Sequence, residues 1–279
     1  MHDISTEHIV DVDLSLASDK KNRMTENIVY RSSGQGLPFH FQHGLGSNLE
    51  QPQGLLKDLT TVQLISLDCQ GHGAAELPAN RAPSFAYYAE AVIRLMDNLG
   101  LSQAIFGGIS MGAGISTYIA LHYPERVRAL VLICPAWLDQ GNPENLRILN
   151  TAADYIEHDQ GKEQFKLLPD FKLIEASVPN AALSVLGVFA DTQRTEISTV
   201  LRAMVQDRPF ENIQSLQGIN VPCLVIGNED DPLHPFEMAM EMHKHIPNSQ
   251  LEKVTSRYID DAQHRQIVYQ TISKFIDNL

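Results

Sequence analysis

Ser110 stands in a short glycine-rich stretch that could hold a reactive hydroxyl. Residues 108–112, GISMG, fit the pattern G-x-S-x-G. An apolar run, QAIFGG, leads into this stretch, and a helical pattern of small residues, MGAGISTYIALHYP, follows it. A serine at such a sharp strand-to-helix turn exposes its Oγ above the sheet, and the flanking glycines leave room for the neighbouring strand and helix. The stretch therefore predicts a nucleophilic serine.

A serine hydroxyl is a weak nucleophile until a base removes its proton, so the sequence should contain a suitably placed histidine. His264 is the histidine that follows the final predicted strand, and we expect it in the loop before the last helix, as the base. Where a serine at such a strand-to-helix turn is the nucleophile, the acid follows it in the chain and the histidine follows the acid. Other histidines lie elsewhere: His40, His43, His72, His122, His158, His234, His243 and His245.

The acid that would orient this histidine has three candidates after the apolar run VIGN. Glu229, Asp230 and Asp231 follow the end of that predicted strand. A buried carboxylate there can accept a hydrogen bond from the imidazole Nδ1–H and set its tautomer. Asp231 begins the proline-bounded stretch DPLHP, and proline restricts the backbone. We therefore favour Asp231, keep Asp230 as the alternative and place Glu229 last.

Two backbone amides are candidates for an oxyanion hole. The N–H of Met111 would lie at a helix N-terminus, where the helix dipole favours negative charge. The stretch HGLG at 43–46 follows the end of a predicted strand and could aim the N–H of Leu45 at the same point. An ordinary turn is the alternative for HGLG. His43 precedes the serine, so we do not expect it to be the base.

The elements that position these residues alternate along the chain. Strands are predicted at 27–33, 37–42 and 61–68, and a helix at 84–100 with Ser84 as its N-cap and Gly100 at its end. Such alternation implies a mostly parallel sheet with helices on both faces, an α/β fold. Residues 137–215 show helical patterns and no convincing strand. We therefore predict a core domain at 1–136 and 216–279 and a helical lid at 137–215.

Composition narrows the class of partner. The chain of 279 residues has a formal net charge of −13, which argues against nucleic acid and anionic membranes as partners. Cys69, Cys134 and Cys223 are embedded in apolar runs and are expected to be buried free thiols. No signal sequence, membrane-spanning run, metal-binding spacing or cofactor motif is evident, which favours a cytoplasmic protein without a cofactor. A homodimer is left open.

Taken together, these motifs resemble the α/β-hydrolase fold family in content and in order. The resemblance rests on HGLG, on D-x-x-G-H-G at 68–73, on GISMG, on YPERVRALVLICPA at 123–136, on DPLHP and on His264. It implies Ser110 as nucleophile, Asp231 as acid, His264 as base, and the Leu45 and Met111 amides as the oxyanion hole. The departures are polar His40 and Gln42 in a normally apolar strand, one extra residue between Gly227 and Asp231, and Gln263 in place of a glycine before the histidine.

The chemistry that follows is acyl transfer from a small carboxylic ester or lactone to water, with an acyl-enzyme on Ser110. Hydrolysis of a carbon–carbon bond and cofactor-free haloperoxidase-like chemistry are alternatives, since the resemblance covers both. A small-molecule receptor with slow or no turnover is the alternative from another class. Substrate contacts are expected from Trp137, Leu186 and Phe189, within a larger set of candidate lid residues that adds Leu146, Leu149, Leu183 and Val188.

Overall fold

A single mixed sheet organises the chain. The computed structural model describes residues 6–13, 25–190 and 194–279. The sheet has eight strands in the order β1-β2-β4-β3-β5-β6-β7-β8. The strands are β1 (Thr6–Asp13), β2 (Thr25–Gly34), β3 (Leu37–Gln42), β4 (Val62–Leu67), β5 (Ala104–Ile109), β6 (Val127–Ile133), β7 (Cys223–Asn228) and β8 (Ser249–Val254). β2 pairs antiparallel with both β1 and β4, and the other neighbouring pairs are parallel.

Helices occupy most of the connections between these strands. They are α1 (Glu50–Leu56), α2 (Phe85–Asn98), α3 (Met111–His122), α4 (Arg147–Ile156), α5 (Gly161–Phe165), α6 (Pro169–Ser177), α7 (Pro179–Gly187), α8 (Arg194–Gln206), α9 (Phe236–His245) and α10 (Asp261–Ile276). Between β6 and β7 the described residues form helices and turns only, over the segment predicted to be a lid.

The central strands are buried on both faces, as their uninterrupted apolar runs indicate. Successive side chains of a strand point to opposite faces. On β6, Leu130 and Leu132 accordingly join one core cluster with residues of α2 and α3. Val131 and Ile133 join a second cluster with residues of α1 and α10. This arrangement confirms the predicted α/β architecture and leaves the carboxyl ends of the parallel strands as the edge where a site can form.

Local signals located most of the elements. Ser84 caps α2 as predicted, since its Oγ accepts a hydrogen bond from the Tyr87 N–H at 3.0 Å. Gly100 has a φ of +69° directly after the helix, where a glycine is favoured. The three cysteines are free and buried, as expected.

Two elements have no clear sequence signal. β1 contains TEHIVDVD, in which aspartates and a glutamate oppose strand propensity. α1 contains EQPQGLL, in which Pro52 and Gly54 oppose helix formation. Pairing with β2 forms the first element. Packing of Pro52, Gln53 and Leu56 into the interior stabilises the second.

A helix that crosses a bilayer needs about 20 predominantly apolar residues. None of the described helices is both long enough and apolar enough to cross a membrane.

Candidate active site

Ser110 occupies a strained turn between β5 and α3. Its φ is +56° and its ψ −109°, in a region that residues other than glycine rarely adopt. The Ser110 N–H donates to Ile133 O at 2.9 Å, and its carbonyl accepts from Gly114 N at 3.2 Å. The turn is thus held by β6 on one side and by the first turn of α3 on the other. Backbone strain of this kind is typical of functional sites.

The glycines on either side of Ser110 are required by close packing. A Cβ on Gly112 would lie 2.2 Å from Gln42 O, and one on Gly108 would lie 2.4 Å from Gly112 C. Both contacts are with backbone, so neither can be relieved by a rotamer change. Gly114 packs closely against α2, since an added Cβ would lie 2.4 Å from a ring carbon of Phe85.

A Gly112→Ala substitution is therefore expected to destabilise the fold by about 2–3 kcal/mol or more, through overpacking against an immovable strand. The matched control is Gly187→Ala at the end of α7, where an added Cβ meets nothing within 4 Å. That change should be neutral or stabilising by up to about 1 kcal/mol, because alanine favours the helix. Urea unfolding of both variants measures the difference, and equal stabilities would contradict the packing argument.

Ser110 opens into a cavity at the carboxyl edge of the sheet. Loops after β3, β5, β6, β7 and β8 supply its walls, together with residues of α1, α4, α7 and α10. Its lining includes Leu45, Gln51, Ser110, Cys134, Leu146, Leu149, Ser184, Val185, Val188, Asn228, Asp231, Leu233, His234, Arg257, Tyr258 and His264. The cavity therefore brings together Ser110, Asp231 and His264, which are distant in sequence.

Of the two candidate oxyanion-hole residues, Leu45 lines the same cavity and Met111 directly follows Ser110. Met111 is the first residue of α3, so its N–H has no acceptor within the helix. Leu45 lines the cavity beside Gly44, whose N–H donates to Gln51 Oε1 at 2.8 Å. This bond fixes the β3–α1 loop against α1. The oxyanion-hole role of the Leu45 and Met111 amides stays a prediction.

His264 lies in the first turn of α10 and not in a loop before it, because the helix begins at Asp261. Asp260 caps this helix by accepting from Gln263 N at 2.9 Å. His264 Nδ1–H donates to the carbonyl of Thr255 at 2.8 Å, which leaves Nε2 as the unprotonated nitrogen of the neutral ring. Burial lowers the pKa of His264 below its usual value. The imidazole is thus neutral at pH 7 and able to accept a proton.

Asp231 is buried, whereas Asp230 and Glu229 are exposed. Asp231 Oδ2 contacts His234 Nδ1 at 2.9 Å, and Oδ1 accepts from the backbone N–H groups of Leu233 and His234 at 3.1 Å each. Burial alone would raise the pKa of Asp231, but the contacts with His234 and Asn228 and the charge of Arg257 hold it below its usual value. The carboxylate is therefore ionised and firmly positioned.

The imidazole that Asp231 binds is not the one predicted. Among the described residues, Asp231 makes its side-chain bonds to His234 and Asn228, and His264 makes its own to Thr255. Ser110 Oγ forms no hydrogen bond with either imidazole within the described ranges. His234 was not among the sequence candidates. Its signal was its position three residues after Asp231 between two prolines, which also satisfies the expected chain order.

Hydrogen bonds beneath the site account for polar Gln42 in β3 and for His43 directly after it. Gln42 Nε2 donates to Leu67 O at 2.9 Å. His43 Nε2 accepts from Cys69 N at 3.1 Å, so its Nδ1–H donates to Gly44 O at 2.9 Å. These bonds join the ends of β3 and β4 beside the β3–α1 loop, which gives His43 a structural role. His72 lies beside it, with ring centroids 5.0 Å apart.

These buried histidines should make the fold acid-sensitive. Burial lowers the pKa of His40 to about 3, of His43 to about 4 and of His72 to about 3. The unfolded chain binds protons near pH 6.5, so between about pH 6.5 and 4 it binds more protons than the folded protein. The free energy of unfolding should then fall with decreasing pH, by up to about 1.4 kcal/mol per pH unit for each histidine.

Urea titrations at pH 7 and pH 5 measure this slope. A His72→Gln variant, which cannot titrate, should show a slope smaller by up to about 1.4 kcal/mol per pH unit. An unchanged slope in that variant would show that His72 does not contribute.

The predicted substrate contacts in the helical segment need correction. Trp137 does not line the cavity: its Nε1–H donates to Met204 O at 3.0 Å and its ring packs edge-on against Phe85. Phe189 packs on Phe165, with ring centroids 5.2 Å apart, and Leu186 packs against the same core. The helical residues that do line the cavity are Leu146, Leu149, Ser184, Val185 and Val188. Periodicity alone could not separate the core face of these helices from the cavity face.

No group of three or more His, Cys, Asp or Glu side chains in the described part of the chain is arranged to hold a metal ion. The cavity lining itself includes a serine hydroxyl, two imidazoles and a carboxylate, from Ser110, His234, His264 and Asp231.

Comparison with known proteins agrees with the observed fold. A family model described as "alpha/beta hydrolase fold" matches residues 38–265. A 2-hydroxymuconate semialdehyde hydrolase from Pseudomonas putida is 26% identical over 234 residues, which cover 78% of this chain and 79% of the relative. A pimeloyl-[acyl-carrier protein] methyl ester esterase from Vibrio cholerae is 28% identical over 251 residues, covering 81% and 89%.

A solved structure of similar shape supports the fold assignment independently. A thermophilic esterase from Thermogutta terrifontis superposes with a TM-score of 0.73 at 17% identity, covering 96% of this chain and 99% of that one. The match of the family model spans most of the chain, including the strained serine turn and both candidate histidines. This chain belongs to the α/β-hydrolase fold family.

Proposed function

We propose that the protein is a serine hydrolase that cleaves small carboxylic esters or lactones through an acyl-enzyme on Ser110. One observation carries the proposal: Ser110 is held at a φ of +56° at the N-terminus of α3, in a cavity that also contains a neutral, buried imidazole. The esterase from Vibrio cholerae among the relatives supports ester hydrolysis as the reaction class.

The proposed reaction has two half-reactions. Ser110 Oγ attacks the carbonyl carbon while its proton moves to His264 Nε2. The negative charge on the carbonyl oxygen faces the N–H groups of Leu45 and Met111, and collapse of the tetrahedral intermediate passes the proton to the leaving alcohol. Water then attacks the acyl-enzyme, His264 again accepts and returns the proton, and the carboxylic acid is released.

We assign the base to His264, because its Nδ1–H is held by Thr255 O and its Nε2 is therefore the free, basic nitrogen. The Thr255 carbonyl sets the tautomer here, a task that a carboxylate has in the usual triad. Asp231 and His234 form a carboxylate–imidazole pair on the wall of the same cavity. The pair His234–Asp231 is the specific alternative for the base and its acid, and the two assignments make opposite predictions for histidine variants.

The helical segment at 137–215 is proposed as a lid over this site. Its support is that residues of α4 and α7 form part of the wall of the cavity that contains Ser110. Asn145 of this segment donates to Leu233 O at 2.7 Å, beside Asp231 and His234. The lid would therefore restrict the size of the substrate and also stabilise the loop that carries Asp231.

Hydrolysis of a carbon–carbon bond is a second candidate, favoured by the resemblance to the 2-hydroxymuconate semialdehyde hydrolase. A carbon–carbon substrate needs a proton delivered to carbon before cleavage, whereas an ester does not. A panel of simple esters, lactones and vinylogous diketones separates the two, because a carbon–carbon hydrolase should turn over the diketones at a higher kcat/KM.

A fluorophosphonate probe tests the nucleophile directly. Mass spectrometry should locate the adduct on Ser110, and Ser110→Ala should abolish the labelling. With an ester substrate, many turnovers per molecule are expected. A single stoichiometric burst would instead indicate a receptor that traps its ligand. Absence of labelling in a folded sample would overturn the proposal.

A further inference from the structure

Arg257 places a positive charge on the wall of the serine cavity. It lies in the loop between β8 and α10 and is partly buried. Its Nη2 donates to Ser184 Oγ at 2.9 Å and to the Tyr258 hydroxyl at 3.0 Å. Its guanidinium carbon lies 4.8 Å from the centroid of the Tyr258 ring. Arg257, Ser184 and Tyr258 all line the cavity that contains Ser110.

The hydrogen-bond partners of this guanidinium are neutral. Within the described residues, no carboxylate oxygen lies within 4.0 Å of the Arg257 guanidinium nitrogens. The Nε and Nη1 of Arg257 also make no hydrogen bond with a described residue. Asp231 acts on Arg257 through space, but both oxygens of that carboxylate are already bound by His234, Asn228 and two backbone N–H groups. Enclosing a charge without a paired counter-ion is costly, so such groups are usually paired.

The guanidinium is also held in place before any ligand arrives. Asn180 of α7 donates to Tyr258 O at 2.7 Å, and Ser184, one helical turn later, accepts from Arg257. The loop that carries Arg257 is thereby fixed to α7. A preorganised guanidinium on a cavity wall suits a carboxylate, because its planar fork matches two carboxylate oxygens.

We propose that the substrate of this enzyme carries a carboxylate in addition to the bond that is cleaved, and that Arg257 binds this carboxylate and thereby selects acidic esters or lactones over neutral ones. The inference rests on the proposed function, since it concerns the substrate of Ser110. Arg257 acts in binding and orientation, with no part in the proton transfers.

Two matched substrate pairs test the charge in either half of the ester. In the first pair, mono-4-nitrophenyl adipate has an acyl chain that ends in a carboxylate, and 4-nitrophenyl heptanoate has a neutral chain of similar length. In the second pair, 3-acetoxypropionate carries the carboxylate in its alcohol half, and propyl acetate is its neutral counterpart. Steady-state kinetics should show a higher kcat/KM for the acidic member of at least one pair.

Arg257→Gln should then lower kcat/KM for the preferred acidic ester by about 10- to 100-fold, mainly through KM, because charge-assisted hydrogen bonds are lost. For the matched neutral ester the change should stay within about threefold. Arg257→Lys should restore part of the preference, since it keeps the charge without the planar fork. The control is Arg265→Gln: Arg265 also borders the cavity, but its Nε donates to Asp261 at 2.8 Å, so the preference should persist.

The possible outcomes separate the two proposals. If neither pair shows a preference for the acidic ester, the carboxylate inference is wrong. It is also wrong if Arg257→Gln lowers kcat/KM equally for both esters of a pair, and Arg257 then only holds α7 against the β8–α10 loop. If no ester is cleaved and Ser110 is not labelled by a fluorophosphonate, the proposed hydrolase itself fails. Thermal melting of each variant identifies any loss that comes from unfolding.

Discussion

Replacing Ser110 with alanine should lower kcat for a cleaved ester by about 10⁴-fold or more, since the variant retains only binding and oxyanion stabilisation. KM should change little, because the hydroxyl contributes to the transition state and less to substrate binding. The measurement is steady-state hydrolysis of a 4-nitrophenyl ester, with active-site titration of the wild type as the reference for enzyme concentration.

Ser110→Gly is the matched control for folding. This variant also lacks the hydroxyl, so it should be as inactive as the alanine variant. Because glycine adopts a φ of +56° without strain, its free energy of unfolding should be higher than that of the alanine variant by about 1 kcal/mol. A rise in Tm together with lost activity would show that the chain maintains a strained backbone for the sake of the hydroxyl. Residual activity within about tenfold of the wild type in either variant would remove Ser110 from the mechanism.

The second large effect concerns the two cavity histidines. His264→Ala should lower kcat by about 10⁴-fold or more, because it removes the base. His234→Ala should lower kcat by only about tenfold. In that variant Asp231 keeps its hydrogen bonds from the Asn228 side chain and from the backbone N–H groups of residues 233 and 234. The reverse order of these effects would make His234–Asp231 the catalytic pair and would leave His264 as a structural residue.

The pH dependence of kcat/KM is an independent test of His264 as the catalytic base. The base must be unprotonated to act, and burial lowers the pKa of His264. Activity should therefore persist below pH 6.5, the ordinary histidine pKa, and decline only at more acidic pH. An acid limb above pH 6.5 would contradict a buried His264 as the base. Short assays are needed, because the acid lability of the buried histidines acts on stability in the same pH range.

Residue types and spacing in the sequence were enough to predict the features that depend on neighbouring residues in the chain. The turn at Ser110 needs small neighbours, a strand before it and a helix after it, and all of these are visible within residues 103–124. The buried strands have uninterrupted apolar runs because both of their faces pack against helices. The same kind of local signal located the N-cap of α2 at Ser84.

Tertiary packing decided which polar groups meet in the cavity. His234 and His264 both satisfy the chain order that a triad requires, and only the fold shows that Asp231 contacts the first and Thr255 the second. Trp137 and Val188 are both apolar residues of the helical segment, yet only Val188 reaches the cavity. Arg257 belongs to no recognisable motif. Its guanidinium is positioned on the cavity wall by a hydrogen bond to Ser184 of α7, 73 residues away in the sequence. Spacing describes one element at a time, whereas contacts between elements depend on how each helix rotates and packs on the sheet.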